Sequence, residues 1–186
     1  MEGMHEGHIE GGDKKVALVI AVLALFLAIV ETGGKSAQTH AITLNVEASN
    51  LWSFFQARTV RQTTNNAAIA AADIQKLTSS DAAVQAKIEA QQKAWRDQVA
   101  GWESNGTDGR KELTANARHA EQERDHYMAQ YRFLEYAAAL LQVAIVIASA
   151  TIITSIPSLL FVSLALAAGG LALSGIGLFA PDAFHF

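Results

Sequence analysis

Apolar and polar positions divide the chain into three greasy stretches around a polar middle. Val16 to Val30 is an apolar run of 15 residues, and Tyr136 to Pro181 is 46 residues without a charged side chain. A helix needs roughly 20 apolar residues to cross the hydrocarbon core of a bilayer, at about 1.5 Å rise per residue. The long run therefore holds two spans. Their natural break is Thr154-Ser155-Ile156-Pro157-Ser158, because proline opens a helix at its first position and interrupts one in its interior. The first run reaches span length if Lys14 and Lys15 snorkel at one end and Glu31 to Gly34 meet the other interface. The pattern predicts a flexible acidic, histidine-bearing tail over 1–14, a span over 15–34 and an extramembrane segment over 35–132. Further spans follow over 133–155 and 157–181, then a tail over 182–186.

Within the polar middle the pattern becomes a heptad. Counting alternately four and three from Leu113 gives Ala117, Ala120, Arg124, Tyr127, Tyr131, Leu134, Ala138, Leu141, Ile145, Ala148 and Ile152. Only Arg124 interrupts this apolar or aromatic seam. A seam that keeps phase into an apolar run predicts one continuous helix packed on a partner throughout. Ala37, Ala41, Leu44, Ala48, Leu51 and Phe55 form a second seam. A third, offset by a phase shift, runs Val60, Thr63, Ala67, Ala70, Ile74 and Leu77. Thr78-Ser79-Ser80-Asp81 reads as a stop followed by a capped start, with Ser80 or Asp81 as the cap. The next helix has Val84, Ile88, Trp95 and Val99 inward, and a loop over Gly101–Gly109 precedes a helix that Asp108 can cap.

Ala37–Leu77 against Asp81–Ala100 plus Leu113–Arg132 gives two arms of matching length, each about 60 Å at the helical rise. The expected fold is all-α: three transmembrane helices with a long antiparallel, coiled-coil-like helical hairpin stalk between the first and second spans. A two-helix hairpin rich in alanine buries little apolar surface, so homo-oligomerisation is expected. Ala165-xxx-Gly169 and Gly170-xxx-Ser174 in the last span point the same way, since small residues at spacing four let helices approach closely in lipid.

Composition changes the picture mainly by exclusion. Charged residues are 17% of the chain, and 12 of the 14 Lys and Arg lie between Glu31 and Glu135. There is no cysteine, which removes thiolate metal sites, disulfides and cysteine nucleophiles. The two prolines, Pro157 and Pro181, leave the first 156 residues free to be helical. A net charge of −4 offers no basic footprint for nucleic acid. A cleaved signal peptide is the rival reading of the first run. Glu31-Thr32-Gly33-Gly34-Lys35 lacks a small-x-small cleavage site, so we read an uncleaved span. Lys35, Arg124 and Arg132 slightly outweigh Lys14 and Lys15 as flanking cations, which places the middle segment in the cytoplasm.

Trp52-Ser53-Phe54-Phe55-Gln56-Ala57-Arg58 follows the first span, between an acidic tail and a charged helical middle that closes in two spans. This arrangement resembles the bacterial membrane family known as domain of unknown function 4337 over nearly the whole chain. The resemblance implies a bacterial inner-membrane protein. It supplies no catalytic residues, because the family has no assigned activity.

Candidate chemistry is sparse. Glu135, Gln142 and Ser149 recur every seven residues, one position after the seam, as a polar stripe on the second span. In a symmetric oligomer that stripe could line a pore, with Gln142 as a ring. The plainer reading has Gln142 and Ser149 bonding neighbouring helices, with Glu135 at the interface beside Arg132. His119, Glu123 and His126 share one helix face, but no other helix offers carboxylates at matching depth, so that face reads as solvated. His5-x-x-His8 reads as part of a disordered tail. Asn105-Gly106-Thr107 matches a glycosylation acceptor without an expected use, and Trp52 and Phe55 read as core packing. No phosphate loop or nucleophile elbow is present. The expectation is a non-enzymatic integral membrane protein with no cofactor and no metal, forming a homo-oligomeric helical scaffold or interaction stalk. Its partners are membrane lipid, further copies of itself or another membrane protein. A small homo-oligomeric ion channel lined by the second span, and an accessory subunit of a larger membrane complex, are the alternatives.

Overall fold

A computed structural model describes residues 11–183. Among these residues every regular element is helical. The elements are α1 (Gly11–Thr78), α2 (Ala82–Glu103), α3 (Arg110–Thr154), α4 (Pro157–Phe179) and a closing 3₁₀ turn, Pro181–Ala183. The His5-x-x-His8 pair and the final residues, 184–186, lie outside the described residues. The described residues divide into two compact units, one drawn from those up to Ala41 and from Asp125 onward, the other Ile42–Arg124.

The first unit packs the early part of α1, the later part of α3, and α4 around one apolar core. Leu23 and Val30 of α1, Leu134, Ala137, Ala138, Leu141 and Ala144 of α3, and Ala167 of α4 form its centre. On α1 the buried positions Val16, Leu23, Val30 and Ala37 fall seven apart, the repeat of a helix that stays against a partner. α1 does not pause at Glu31–Lys35, where the sequence suggested an interface. A Cβ at Gly33 or Gly34 would stand 3.5 or 3.6 Å from the Leu134 side chain, an ordinary contact distance.

Large apolar side chains also point away from this core, among them Leu18, Leu25 and Ile29 on α1, Val146 on α3 and Phe161 on α4. α3 stops at Thr154 and α4 starts at Pro157. Ser155 makes the reversal with φ 55°, the left-handed conformation of a helix C-terminal cap, and its amide donates to the Thr151 carbonyl at 2.9 Å. Pro157 then occupies the first turn of α4, where a missing N–H costs nothing.

The second unit joins the later part of α1, α2 and the start of α3. Here the structure corrects the expected phase shift. Val60, Thr63, Ala67, Ala70, Ile74 and Leu77 are all exposed, while Arg58, Gln62, Asn65, Ile69, Ala72 and Lys76 are buried or half-buried. The inner positions keep the alternation of three and four set by Leu44, Ala48, Leu51 and Phe55. Packing thus preserves the heptad phase and accepts polar residues in the seam, where the apolar pattern suggested the phase would slip.

α2 answers with Gln85, Ile88, Gln92, Trp95, Val99 and Trp102, all half-buried or buried, whereas Val84 is exposed. Hydrogen bonds fix the register: Asn65 to Gln98 at 3.2 Å, Gln92 to the Ile69 carbonyl at 3.1 Å and to Asp73 at 2.8 Å, and Lys76 to Glu89. Partner numbers on α2 fall as those on α1 rise. Asp81 caps α2, its carboxylate accepting from the Ala83 amide at 2.8 Å.

Candidate functional site

The polar stripe of α3 separates once its partners are seen. Gln142 donates from its side-chain amide to Glu31 of α1 at 3.0 Å, and the Tyr131 hydroxyl donates to Glu135 at 3.1 Å. These residues, with Lys35, line a cleft of about 450 Å³ between α1 and α3, floored by Val30 and Leu134. Glu31 and Glu135 are each the first charged residue beyond an apolar run, so the cleft gathers charge where both runs end. Both carboxylates are held by neutral donors. Ser149 does not join them: its hydroxyl donates to the Ile145 carbonyl of its own helix at 2.9 Å.

The small residues of α4 pack against α3 of the same chain. Gly170 and Ser174 are buried, Gly169 is half-buried and Ala165 is exposed. A Cβ at Gly170 would lie 3.1 Å from the Ala137 carbonyl oxygen and from Leu141. The buried face of α4 is Ser163, Ala167, Gly170, Ser174 and Gly177, a heptad of small residues of which the spacing-four pairs named from the sequence include only Gly170 and Ser174. Alternating four and three from Ser163 would have found it. The Ser163 hydroxyl donates to the Ala144 carbonyl at 2.7 Å with the side chain fully buried. At Gly177 a Cβ would be 2.8 Å from that of Phe133.

In the second unit the polar seam closes on Arg110, at the start of α3. Its guanidinium donates to the Gln62 side-chain oxygen at 2.7 Å and to Glu103 at 3.1 Å, and sits 4.9 Å over the Phe55 ring. The Gln62 amide completes the triangle, donating to Glu103 at 3.1 Å. Phe55 in turn meets Trp52 edge to face, and the Trp52 indole N–H donates to Glu121 at 2.9 Å. Arg124, the one break in the α3 seam, is half-buried and reaches Asn45 at 3.3 Å.

The loop before α3 is organised differently from the expected cap. The Asn105 side-chain oxygen accepts from the amides of Thr107, Asp108 and Gly109 at 3.0, 2.9 and 3.1 Å. Asp108 turns to the Asn105 amide and to Arg58 of α1. The Asn105 hydrogen bond, aided by the Arg58 charge, holds the Asp108 carboxyl below its ordinary range. On α2, the Glu89 carboxyl is lowered by Lys76 of α1, chiefly by hydrogen bonding, and the Lys93 ammonium is raised by Asp97.

His119 pairs with Glu123 at 3.8 Å and His126 with Asp182 at 2.6 Å, so the histidine face is divided between separate partners. Among the described residues no group of three or more histidine, aspartate or glutamate side chains is placed to hold a metal ion. Thr151 and Thr154, like Ser149, donate to carbonyls one turn back.

What the described residues define is an all-helical protein in which α1, α3 and α4 are each long and apolar enough to cross a membrane. The chain belongs to the family described as domain of unknown function (DUF4337), whose model matches residues 12–180. No curated protein and no solved structure matches it.

Proposed function

We propose that this is a non-enzymatic, multi-pass protein of the bacterial inner membrane whose copies assemble into a homo-oligomeric scaffold. In this reading residues 35–132 form an antiparallel helical hairpin, a stalk on the cytoplasmic side that displays a surface for interaction. The opposed numbering of the α1–α2 hydrogen bonds supports the hairpin. The cations Lys35, Arg124 and Arg132 support the cytoplasmic side.

The observation that carries the assembly is the thinness of the second unit's own core. Its buried hydrophobic side chains are Ala48, Ala72, Leu113, Ala117 and Ala120, joined by Gln62 and Gln92. Each buried methylene is worth about 0.8 kcal/mol, so a seam whose fully buried positions are mostly alanine and glutamine, with Ile88, Trp95 and Val99 only half-buried, leaves a helix pair marginal. Larger side chains that would strengthen it, such as Val60, Ile74 and Leu77, face outward. Association through such faces supplies the missing burial.

The pore reading has no comparable support, since the Gln142 amide is engaged by Glu31 of the same chain. Crosslinking in native membranes followed by mass measurement tests the proposal. It distinguishes copies of this chain from a complex with other subunits, which would instead favour the accessory-subunit reading.

A further inference from the structure

The exposed residues that the sequence first assigned to the stalk core form a seam of their own. Val60, Thr63, Ala67, Ala70, Ile74 and Leu77 alternate three and four along α1, and all six are exposed. Val60, Ile74 and Leu77 are 64%, 65% and 86% accessible, unusual values for large apolar side chains on a helix that already buries another face. On a helix of 3.5 residues per turn this outer seam lies about 150° round from the inner one that meets α2. α1 therefore carries two heptad faces, one occupied and one open.

The spacing identifies the kind of occupant. A strict heptad is what a supercoiling partner helix requires. We propose that the occupant is α1 of a second copy, packed in parallel and in register along residues 60–77; this rests on the homo-oligomeric reading above. α1 begins with a candidate span in each copy, so copies inserted the same way in one membrane present α1 in the same direction. Parallel, in-register pairing sets each residue against its own twin, and a charged seam would then repel itself.

This seam carries no charge, and the run from Gln62 to Ala72 around it is uncharged as well. The one hydroxyl in the seam, on Thr63, donates to the Thr59 carbonyl at 3.0 Å and leaves its methyl to pack. The outward face of α2 contrasts with it. There Lys93 pairs with Asp97, both well exposed, and Lys87, Glu89 and Arg96 are exposed beside them. Charge thus marks the solvated side of the pair, and its absence marks the side that closes on a twin.

The chain's lack of cysteine allows a direct test. Single variants Ala67→Cys, Ile74→Cys and Leu77→Cys, oxidised in native membranes, are expected to form disulfide-linked dimers at least tenfold more efficiently than Lys87→Cys or Ala94→Cys on α2. Ile74→Glu with Leu77→Glu is expected to abolish the dimer reported by Ala67→Cys, with helix content by circular dichroism unchanged because both side chains are exposed. Equal crosslinking from α2, or none from α1 while amine-reactive reagents still trap multiples of the chain, would overturn the seam and leave the oligomer standing. If amine-reactive reagents trap only single copies, both readings fall. Trapping of α1 cysteines to a different protein instead would also overturn the proposal, assigning this face to a heterologous helix.

Discussion

Gly177 and Gly175 differ by two positions and by everything that decides the cost of a methyl group. A Cβ at Gly177 would sit 2.8 Å from the Cβ of Phe133, whereas one at Gly175 would meet nothing within 4 Å. Gly177→Ala should therefore lower the unfolding free energy in detergent by about 1–3 kcal/mol, while Gly175→Ala leaves it unchanged or slightly raised. Asp108 supplies a second test at this scale. Its folded carboxyl is depressed, chiefly by the Asn105 hydrogen bond and then by Arg58. The stability it contributes is present above the unfolded carboxylate value, about 3.9, and is lost as pH falls through the lower folded value. Protection factors of the Thr107–Gly109 amides should fall over that acidic window, and Asp108→Asn should remove the change. Neither site was visible in the sequence: glycines in an apolar run look alike, and Asp108 looks like a cap until Arg58 is seen beside it.

At the level of elements, the sequence was most legible where apolar residues themselves carry the register. The α3 seam from Leu113 to Ile152 is buried or half-buried at every position, and the break at Pro157 falls between α3 and α4. It misled where polar residues carry the register. Gln62, Asn65 and Gln92 occupy inner positions because amides satisfy one another and nearby backbone across the α1–α2 pair, so hydrophobicity alone pointed to the outer face. Gln92, 2% exposed, binds both the Ile69 carbonyl and Asp73. Gln92→Ala should cost the pair about 2 kcal/mol by loss of two hydrogen bonds at about 1 kcal/mol each, read as a lower urea midpoint. Gln92→Leu restores the volume and should recover much of that loss while loosening the register, as replacement of a buried polar residue in a coiled coil does. A Gln92→Ala midpoint equal to that of the unmodified chain would show that the amide layer does not fix α2.

For the whole molecule, composition and hydropathy made legible the three helices that, among the described residues, are long and apolar enough to cross a membrane. They could not tell which small residues serve contacts within one chain: Gly170 and Ser174 looked available to a second copy and are buried against α3. With that α4 face occupied, the case for assembly moves to the second unit, whose inner seam is thin and whose outer seam is open. What the proposal requires first is that copies of this chain associate with one another. Amine-reactive crosslinking in native membranes, followed by mass measurement of the trapped species, tests this most directly. The expected result is a closed set of integer multiples of the 19.9 kDa chain. Recovery of single chains alone, or of one copy joined to other subunits, would contradict it.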